Sequence, residues 1–282
     1  MLVFMTNILD NFKERMPLIM GILNITKDSL FDGGKYTTFA TIQNRINAIV
    51  REGADIIDIG GESSRPGAKS ISVDEELSNI IPAVEFVKNQ SDIPISIDTY
   101  KSEVAYECLK SGAHIINDIT GLKSQKMLDL IKTNNCPVII MHMYGEPATM
   151  QNNPLDVNED YVVLDFLRSQ SDLALSYGIK KHDILLDPGI GFGKTQNLNI
   201  KLISELNNIV KLGYITVLGV SRKSLVGAIL NEEIQNRLVG STIINFIGIT
   251  NGAGIIRTHD VKETVWMRKI FIAFKEKKVP VY

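Results

Sequence analysis

The chain has 282 residues, of which 44% are hydrophobic and 22% charged, and 30 Lys+Arg stand against 32 Asp+Glu for a formal net charge of −2. That is the composition of an ordinary soluble globular protein, and it gives no general pull toward nucleic acid or an anionic membrane, so any anion site must be local. The longest uncharged stretch, Leu238–Ile256, carries Ser241, Thr242, Asn245, Thr250, Asn251 and four glycines, too polar for a membrane span of about 20 apolar residues. The first 17 residues hold Asp10, Lys13, Glu14 and Arg15 and no cleavage pattern, which argues against a signal peptide. Cys108 and Cys136 share no CxxC or metal spacing; they read as two buried, reduced thiols, in keeping with the cytoplasm.

In chain order, residues 1–17 form a lead-in ending at Pro17, either a short strand or hairpin or the remnant of a linker, and 18–282 form one domain. LIMGILN is the first of eight short apolar runs and stops at Asn24. A long loop, NITKDSLFDGGKY, follows, then a helix near Thr38–Gly53 with Ile42, Ile46, Ile49 and Val50 on one face. The second run, ADIIDIGGESSR, reaches Glu62 and Arg65 and opens into a second long loop with the Pro66–Gly67 turn. Ser72 begins the next helix, with Glu75 three residues on. PISID ends at Asp98 before a helix over Lys101–Ser111. HIIND ends at Asn117–Asp118 before Ser124–Thr133. PVIIMH ends at His142 and leads into the loop MYGEPATMQNNP and a helix near Val157–Tyr177. ILLD ends at Asp187, followed by DPGIGFGKT and a helix predicted over Gln196–Lys211. ITVLGVSRK ends at Arg222–Lys223, followed by Val226–Leu230 and a helix over Ile234–Gly248. GIIRTH ends at Arg257–His259 before the last helix, Val261–Phe274.

Runs of Ile, Val and Leu without clean alternation suit strands buried on both faces. Eight of them alternating with helices predict an α/β fold, a single (β/α)8 TIM barrel. In that architecture the C-terminal ends of the strands carry the active site, so the polar residue closing each run becomes a site candidate. The long loops after the first two strands read as lids.

Asp98, Asn117 and Asp187 each follow an apolar run and are expected to be partly buried, where charges need partners. Carboxylates only accept, whereas an amide donates and accepts. Two carboxylates and one Asn match the edge of a nitrogen-rich heterocycle, with Lys223 able to donate to a ring carbonyl; a structural ion network is the competing reading. Arg257 and His259 after strand 8, with Ser221–Ser224 after strand 7, mark the corner where barrels bind phosphate. Arg222 is read as either a phosphate ligand or a structural salt bridge. GIGFGKT is one residue short of a Walker A loop and follows DP, so it is not a nucleotide phosphate loop.

The segments MGILNITKDSLFDGG (20–34), GADIIDIGGESSRPGA (53–68), SIDTYKSEVA (96–105), GAHIINDITG (112–121), MHM (141–143), LLDPGIGFGKT (186–195), GVSRKS (219–224) and IRTHDV (256–261), taken together and in this order, resemble the dihydropteroate synthases of the pterin-binding barrel superfamily. The resemblance implies a transferase of folate biosynthesis and a sulfonamide target. Its reaction joins 6-hydroxymethyl-7,8-dihydropterin diphosphate to p-aminobenzoate, releasing pyrophosphate, with Mg2+. It implies that Asp98, Asn117, Asp187 and Lys223 hold the pterin, that Asn24 binds Mg2+ or the diphosphate, and that Arg257 and His259 bind the diphosphate. Ser64, Arg65 and Asp32 would complete the site from the lids, and Phe192 and Ser224 would line the p-aminobenzoate pocket. A cytoplasmic homodimer is implied as well. Two departures fall in the first lid: Lys27 replaces a Pro and Leu30 a Phe of the family pattern TPDSFSDGG. His142 has no assigned role. The competing enzyme, a methyltransferase moving a methyl group from methyltetrahydrofolate to a corrinoid protein, shares the acidic pterin pocket but needs neither a diphosphate site nor the SRKS lysine. A non-catalytic pterin-binding paralogue is the third reading.

Overall fold

The computed structural model describes residues 17–25, 39–64 and 67–279. Its eight parallel strands close into a barrel in chain order: β1 (Leu18–Asn24), β2 (Ile56–Gly60), β3 (Ile95–Asp98), β4 (Ile115–Asp118), β5 (Val138–Met141), β6 (Ile184–Asp187), β7 (Ile215–Leu218) and β8 (Ile255–Thr258). The ring is shut by β1 against β8, from Leu18 opposite Ile255 to Gly21 opposite Thr258. The eight apolar runs are these eight strands. The predicted lead-in lies outside the described residues up to position 16, as does most of the first long loop, with Lys27, Leu30 and Asp32; Arg65 of the second loop does too.

Helices alternate with the strands: α1 (Phe39–Glu52), α2 (Val73–Gln90), α3 (Ser102–Ser111), α4 (Gln125–Asn134), α5 (Asp160–Ser176), α6 (Gln196–Ser204), α7 (Asn207–Val210), α8 (Ser224–Leu230), α9 (Leu238–Thr250) and α10 (Val261–Glu276). Ile42, Ile46 and Ile49 are the buried face of α1. The Ser72 Oγ caps α2 by accepting from the Glu75 N–H at 3.1 Å, and acidic Asp74, Glu75 and Glu76 suit the positive end of the helix dipole. Two helices predicted as continuous are broken. Gln196–Lys211 divides into α6 and α7 because the chain leaves helical geometry at Glu205 to bury Leu206 completely. Ile234–Gly248 divides into a 3-10 turn at Ile234–Asn236 and α9, with the Arg237 side chain turned back onto the Glu232 carbonyl at 2.9 Å. Among the described residues no helix is long and apolar enough to cross a membrane. Cys108 and Cys136 are free and buried.

The barrel interior explains where the chemistry lies. Leu18, Met20, Ile56, Ile115, Ile139, Leu185, Val217 and Ile255 pack together as a buried plug. Strand side chains alternate with a period of two, so the residues two places on from the plug also point inward, one layer nearer the C-terminal ends. That layer holds Asp58 after Ile56, Asn117 after Ile115, Asp187 after Leu185 and Arg257 after Ile255, with Asp98 joining from β3. An apolar floor thus carries a polar ring. Outside the barrel, Gly21 lets α1 and α10 close tightly on β1, since a Cβ there would stand 2.6 Å from Ile49 Cγ2 and 3.0 Å from Val261 Cγ2.

Candidate active site

The polar ring opens into a cleft of about 300 Å³ lined by Asn24, Ser64, Asp98, Phe192, Lys223, Ser224, Arg257 and His259, among others. The structure therefore brings together eight of the residues singled out from sequence. Asn117 and Asp187 lie below them as members of the buried ring, 4% and 5% exposed.

Arg257 organises the ring. Its Nε donates to Asp58 Oδ2 and its Nη2 to Asp98 Oδ2, each at 2.6 Å. Asn117 Nδ2 donates to the same Asp58 oxygen at 3.3 Å. Asp58 is completely buried and is not among the residues singled out from sequence, because it lies inside the second run, ahead of Glu62 and Arg65 at its end. The signal was present in the strand's own period: Ile56, Asp58 and Gly60 share the inward face. Asn117 Oδ1 and Asp58 Oδ1 are buried with no hydrogen-bond partner among the described residues. Buried polar atoms are normally paired, so these two oxygens are acceptors left over within the ring.

Burial pushes the Asp98 carboxyl up to about 7 against the downward pull of the Arg257 guanidinium, and the carboxylates of Asp58, Glu76 and Asp118 add to the rise. Burial also raises Asp187, opposed by the Lys223 ammonium and by the Gly189 N–H, which donates to Asp187 Oδ1 at 2.7 Å. Lys223 is pushed down by burial to about 8 although Asp187 pulls it upward. Its Nζ donates to the Ile190 carbonyl at 2.5 Å and sits 4.7 Å from the centroid of the Phe192 ring. Asp118, which ends the same run as Asn117, points the other way and caps its own loop, accepting from the Thr120 and Leu122 N–H groups at 2.8 and 3.0 Å.

The loop after β6 is held from beneath by Lys194, which is 2% exposed. Its Nζ donates to the carbonyls of His142, Gly189 and Phe192 at 3.2, 2.9 and 3.0 Å. Burial drives this ammonium well below the usual lysine range, while three acceptors call for all three N–H bonds of the charged form. Gly189 and Gly193 let the loop lie against the neighbouring one: both have φ +65°, and a Cβ on either would stand about 2 Å from the carbonyl oxygen of His142 or Tyr144. His142 is thereby placed as packing. Its ring lies edge-on to Phe166 at 5.0 Å, and burial pushes it down to about 2.

Arg222 is resolved in favour of structure. Its guanidinium forks onto Asp260 at 2.8 and 2.9 Å and reaches the carbonyls of Ile234 and Gln235. Its own backbone, at φ 54°, is held by Ser241 Oγ at 2.9 Å. Arg237, not singled out from sequence, secures the same turn through the Arg222 carbonyl at 3.2 Å. The Ser224 Oγ begins α8 and accepts from Gln196 Nε2 at 3.3 Å. The backbone of His259 is fixed from both sides, its N–H to Ser221 Oγ at 3.2 Å and its carbonyl to Arg45 Nη2 at 2.5 Å.

A closed barrel whose mouth sets three carboxylates, an amide and a lysine over an apolar floor, with an Arg on β8 and a His just after it, has the build of a pterin-binding enzyme, and the family model of that description matches residues 20–259. The dihydropteroate synthase of Haemophilus influenzae is 42% identical over 258 residues, covering 92% of this chain and 94% of that protein. The crystal structure of the Yersinia pestis dihydropteroate synthase with a sulfonamide drug superposes with a TM-score of 0.89 at 39% identity, covering 93% of this chain and 95% of that one. The Xanthomonas albilineans enzyme with 4-aminobenzoic acid gives 0.85 at 36% identity, covering 92% and 93%. The chain belongs to the dihydropteroate synthase family.

Proposed function

We propose that the residues of this mouth divide the dihydropteroate synthase reaction among themselves as follows. The enzyme is a transferase of folate biosynthesis that condenses 6-hydroxymethyl-7,8-dihydropterin diphosphate with p-aminobenzoate. The bond from the pterin methylene to the diphosphate oxygen breaks, and its electron pair leaves with pyrophosphate. The aromatic amine then forms a C–N bond to the methylene and loses a proton.

The observation that carries the assignment is the inward polar ring. Asp98, Asn117 and Asp187 offer acceptors and one amide donor at one level of the barrel, with Lys223 beside Asp187. A ring rich in N–H groups satisfies the buried oxygens of Asn117 and Asp58, and Lys223 donates to its carbonyl. An aromatic amine is a weak nucleophile, so bond breaking leads and positive charge develops on the ring and its methylene. Asp98, beside that ring, stabilises the charge in a water-poor site where electrostatics act strongly. Arg257 and His259 face the leaving diphosphate. For Arg257 this means exchanging part of its present pairing with Asp58 and Asp98 for phosphate oxygens, which frees Asp98 for the pterin. Phe192 and Ser224 line the space for p-aminobenzoate, and Ser64, with Arg65 and Asp32 of the lid sequences, closes it from water, which would otherwise capture the cation.

Mg2+ suits this mouth in one mode. Among the described residues no cluster of three or more His, Cys, Asp or Glu side chains could form a cage, but Mg2+ commonly takes few protein oxygens together with substrate phosphates. Asn24 lines the cleft with Arg257 and His259 and would supply one such oxygen. When bound there, the ion would neutralise charge on the departing diphosphate.

The partner this reading assigns is a second copy of the chain. Val239, Ile243 and Ile247 on α9 and Trp266, Ile270 and Phe274 on α10 are exposed at helical spacing, an apolar stripe on each of two helices that pack together, of the kind that marks an interaction surface. The buried free thiols agree with a reducing, cytoplasmic setting. The assignment of the pterin pocket is tested with Asp187→Ala: a folded variant that has lost calorimetric affinity for the dihydropterin diphosphate is the expected result, and unchanged affinity would remove Asp187 from the pocket.

A further inference from the structure

The segment from Glu62 to Ile71 leaves the end of β2 and returns to the start of α2, and its two ends meet at one lysine. Lys101 Nζ donates to Glu62 Oε2, to Glu76 Oε2 at 2.6 Å and to the Ile71 carbonyl at 2.8 Å. The Ile71 N–H returns to Glu62 Oε2 at 3.3 Å. Beside it, the Tyr100 hydroxyl donates to Glu62 Oε1 at 2.7 Å and stands 3.2 Å from Ser70 Oγ. One ammonium and one phenol therefore tie both ends of a ten-residue segment to residues two and three places beyond Asp98.

We propose that Lys101 and Tyr100 are positioning residues for the second lid: with Glu62 they form a clamp that fixes the base of the loop to the end of β3 and so sets where Ser64 stands over the amine-bearing substrate. This rests on the reading of the loop as the p-aminobenzoate lid.

Three features favour a positioning role over plain fold stabilisation. The ion pairs are largely shielded, with the Lys101 and Glu62 side chains 13% and 12% exposed and Glu76 1%, so the pairing is less weakened by solvent than a surface ion pair is. The clamp ties the two ends of the loop to each other, through Glu62 and the Ile71 carbonyl, besides pairing Lys101 at the start of α3 with Glu76 of α2. And it sits on the same strand end as Asp98, whose carboxyl contributes to the cleft, so the lid and the pterin carboxylate share one frame. The two ends of the segment can then shift relative to the barrel only by breaking charge-assisted bonds, which are about twice as strong as neutral ones.

The clamp predicts an effect on one substrate. Tyr100→Phe keeps the ring and every Lys101 ion pair and removes only the hydroxyl link to Ser70 and Glu62. Its KM for p-aminobenzoate should rise about threefold or more, the worth of one to two hydrogen bonds. Lys101→Met should raise it by about tenfold or more, and Lys101→Arg should recover part of the loss because it keeps the charge. Calorimetric affinity for the dihydropterin diphosphate should stay near the wild-type value in each. Hydrogen exchange at residues 67–72, measured without substrates, should quicken in Tyr100→Phe and Lys101→Met. Equal losses for both substrates, or an unchanged p-aminobenzoate KM in the folded variants, would overturn the clamp; if Lys101→Met does not fold, Tyr100→Phe decides it. Should the wild-type chain form no product, the functional reading fails, and the exchange rates alone judge the clamp, with unchanged rates overturning it.

Discussion

Replacing Lys194 with Met isolates what holds the loop after β6. Met fills nearly the same volume, so the aliphatic packing survives and the ammonium is lost. Three carbonyls then lose a donor: His142, Gly189 and Phe192. Gly189 keeps the Phe192 N–H at 3.1 Å, so the loss falls mainly on the other two. Hydrogen bonds from a charged donor contribute about 1.5–3 kcal/mol each. Removing a buried ammonium also removes its desolvation penalty, several kcal/mol in real proteins. Against that recovery, the His142 and Phe192 carbonyls are left without their donor at about 1–3 kcal/mol each, and the aliphatic packing is unchanged, so the balance is a destabilisation of roughly 2–4 kcal/mol. At about 2–4 °C per kcal/mol for domains approaching this size, Tm should fall by roughly 4–16 °C in scanning calorimetry. Because Phe192 rides on this loop, the KM for p-aminobenzoate should rise in the same variant at a temperature where it is fully folded. A Tm within about 1 °C of wild type, with unchanged kinetics, would refute the reasoning.

Other outcomes follow from the same geometry. Asp98 is pushed up to about 7 and Lys223 down to about 8, so kcat/KM for the pterin substrate should trace a narrow bell, rising as Asp98 loses its proton and falling as Lys223 loses its own. Lys223→Arg, always charged, should remove the alkaline limb; a flat wild-type profile between about pH 6 and 9 contradicts both assignments. Leu30→Phe restores an aromatic side chain to the first lid, and inhibition constants for sulfonamides should differ between it and the native chain, equal constants rejecting the idea. Ile243→Glu places a charge on the exposed apolar face and should convert a dimer to a monomer in sedimentation velocity; a monomeric native chain would show that the face serves something else.

The strands were legible in the sequence because each is a short apolar run closed by a polar residue, and burial on both faces leaves no other way to write a barrel strand. The rim residues Asn24, Asp98, Asn117, Asp187, Arg257 and His259 were legible for the same reason, since they terminate the runs. What escaped notice lay inside a run or acted through the backbone. Asp58 sits mid-strand and looks like an interruption until the inward register with Ile56 is known. Lys101 and Glu62 are 39 positions apart, and only the closure of β2 beside β3 brings them together. Arg222 could be weighed from sequence as a phosphate ligand or a structural pair, and the choice depended on Asp260, 38 positions away. The breaks at Glu205 and Arg237 were invisible because Leu206 and Arg237 respond to packing, not to local propensity.

The most direct test of the account is turnover by the wild-type chain with 6-hydroxymethyl-7,8-dihydropterin diphosphate, Mg2+ and labelled p-aminobenzoate. The account predicts label in 7,8-dihydropteroate with one pyrophosphate released per product. Pterin binding without turnover, or methyl transfer from methyltetrahydrofolate to a corrinoid acceptor in its place, would contradict it.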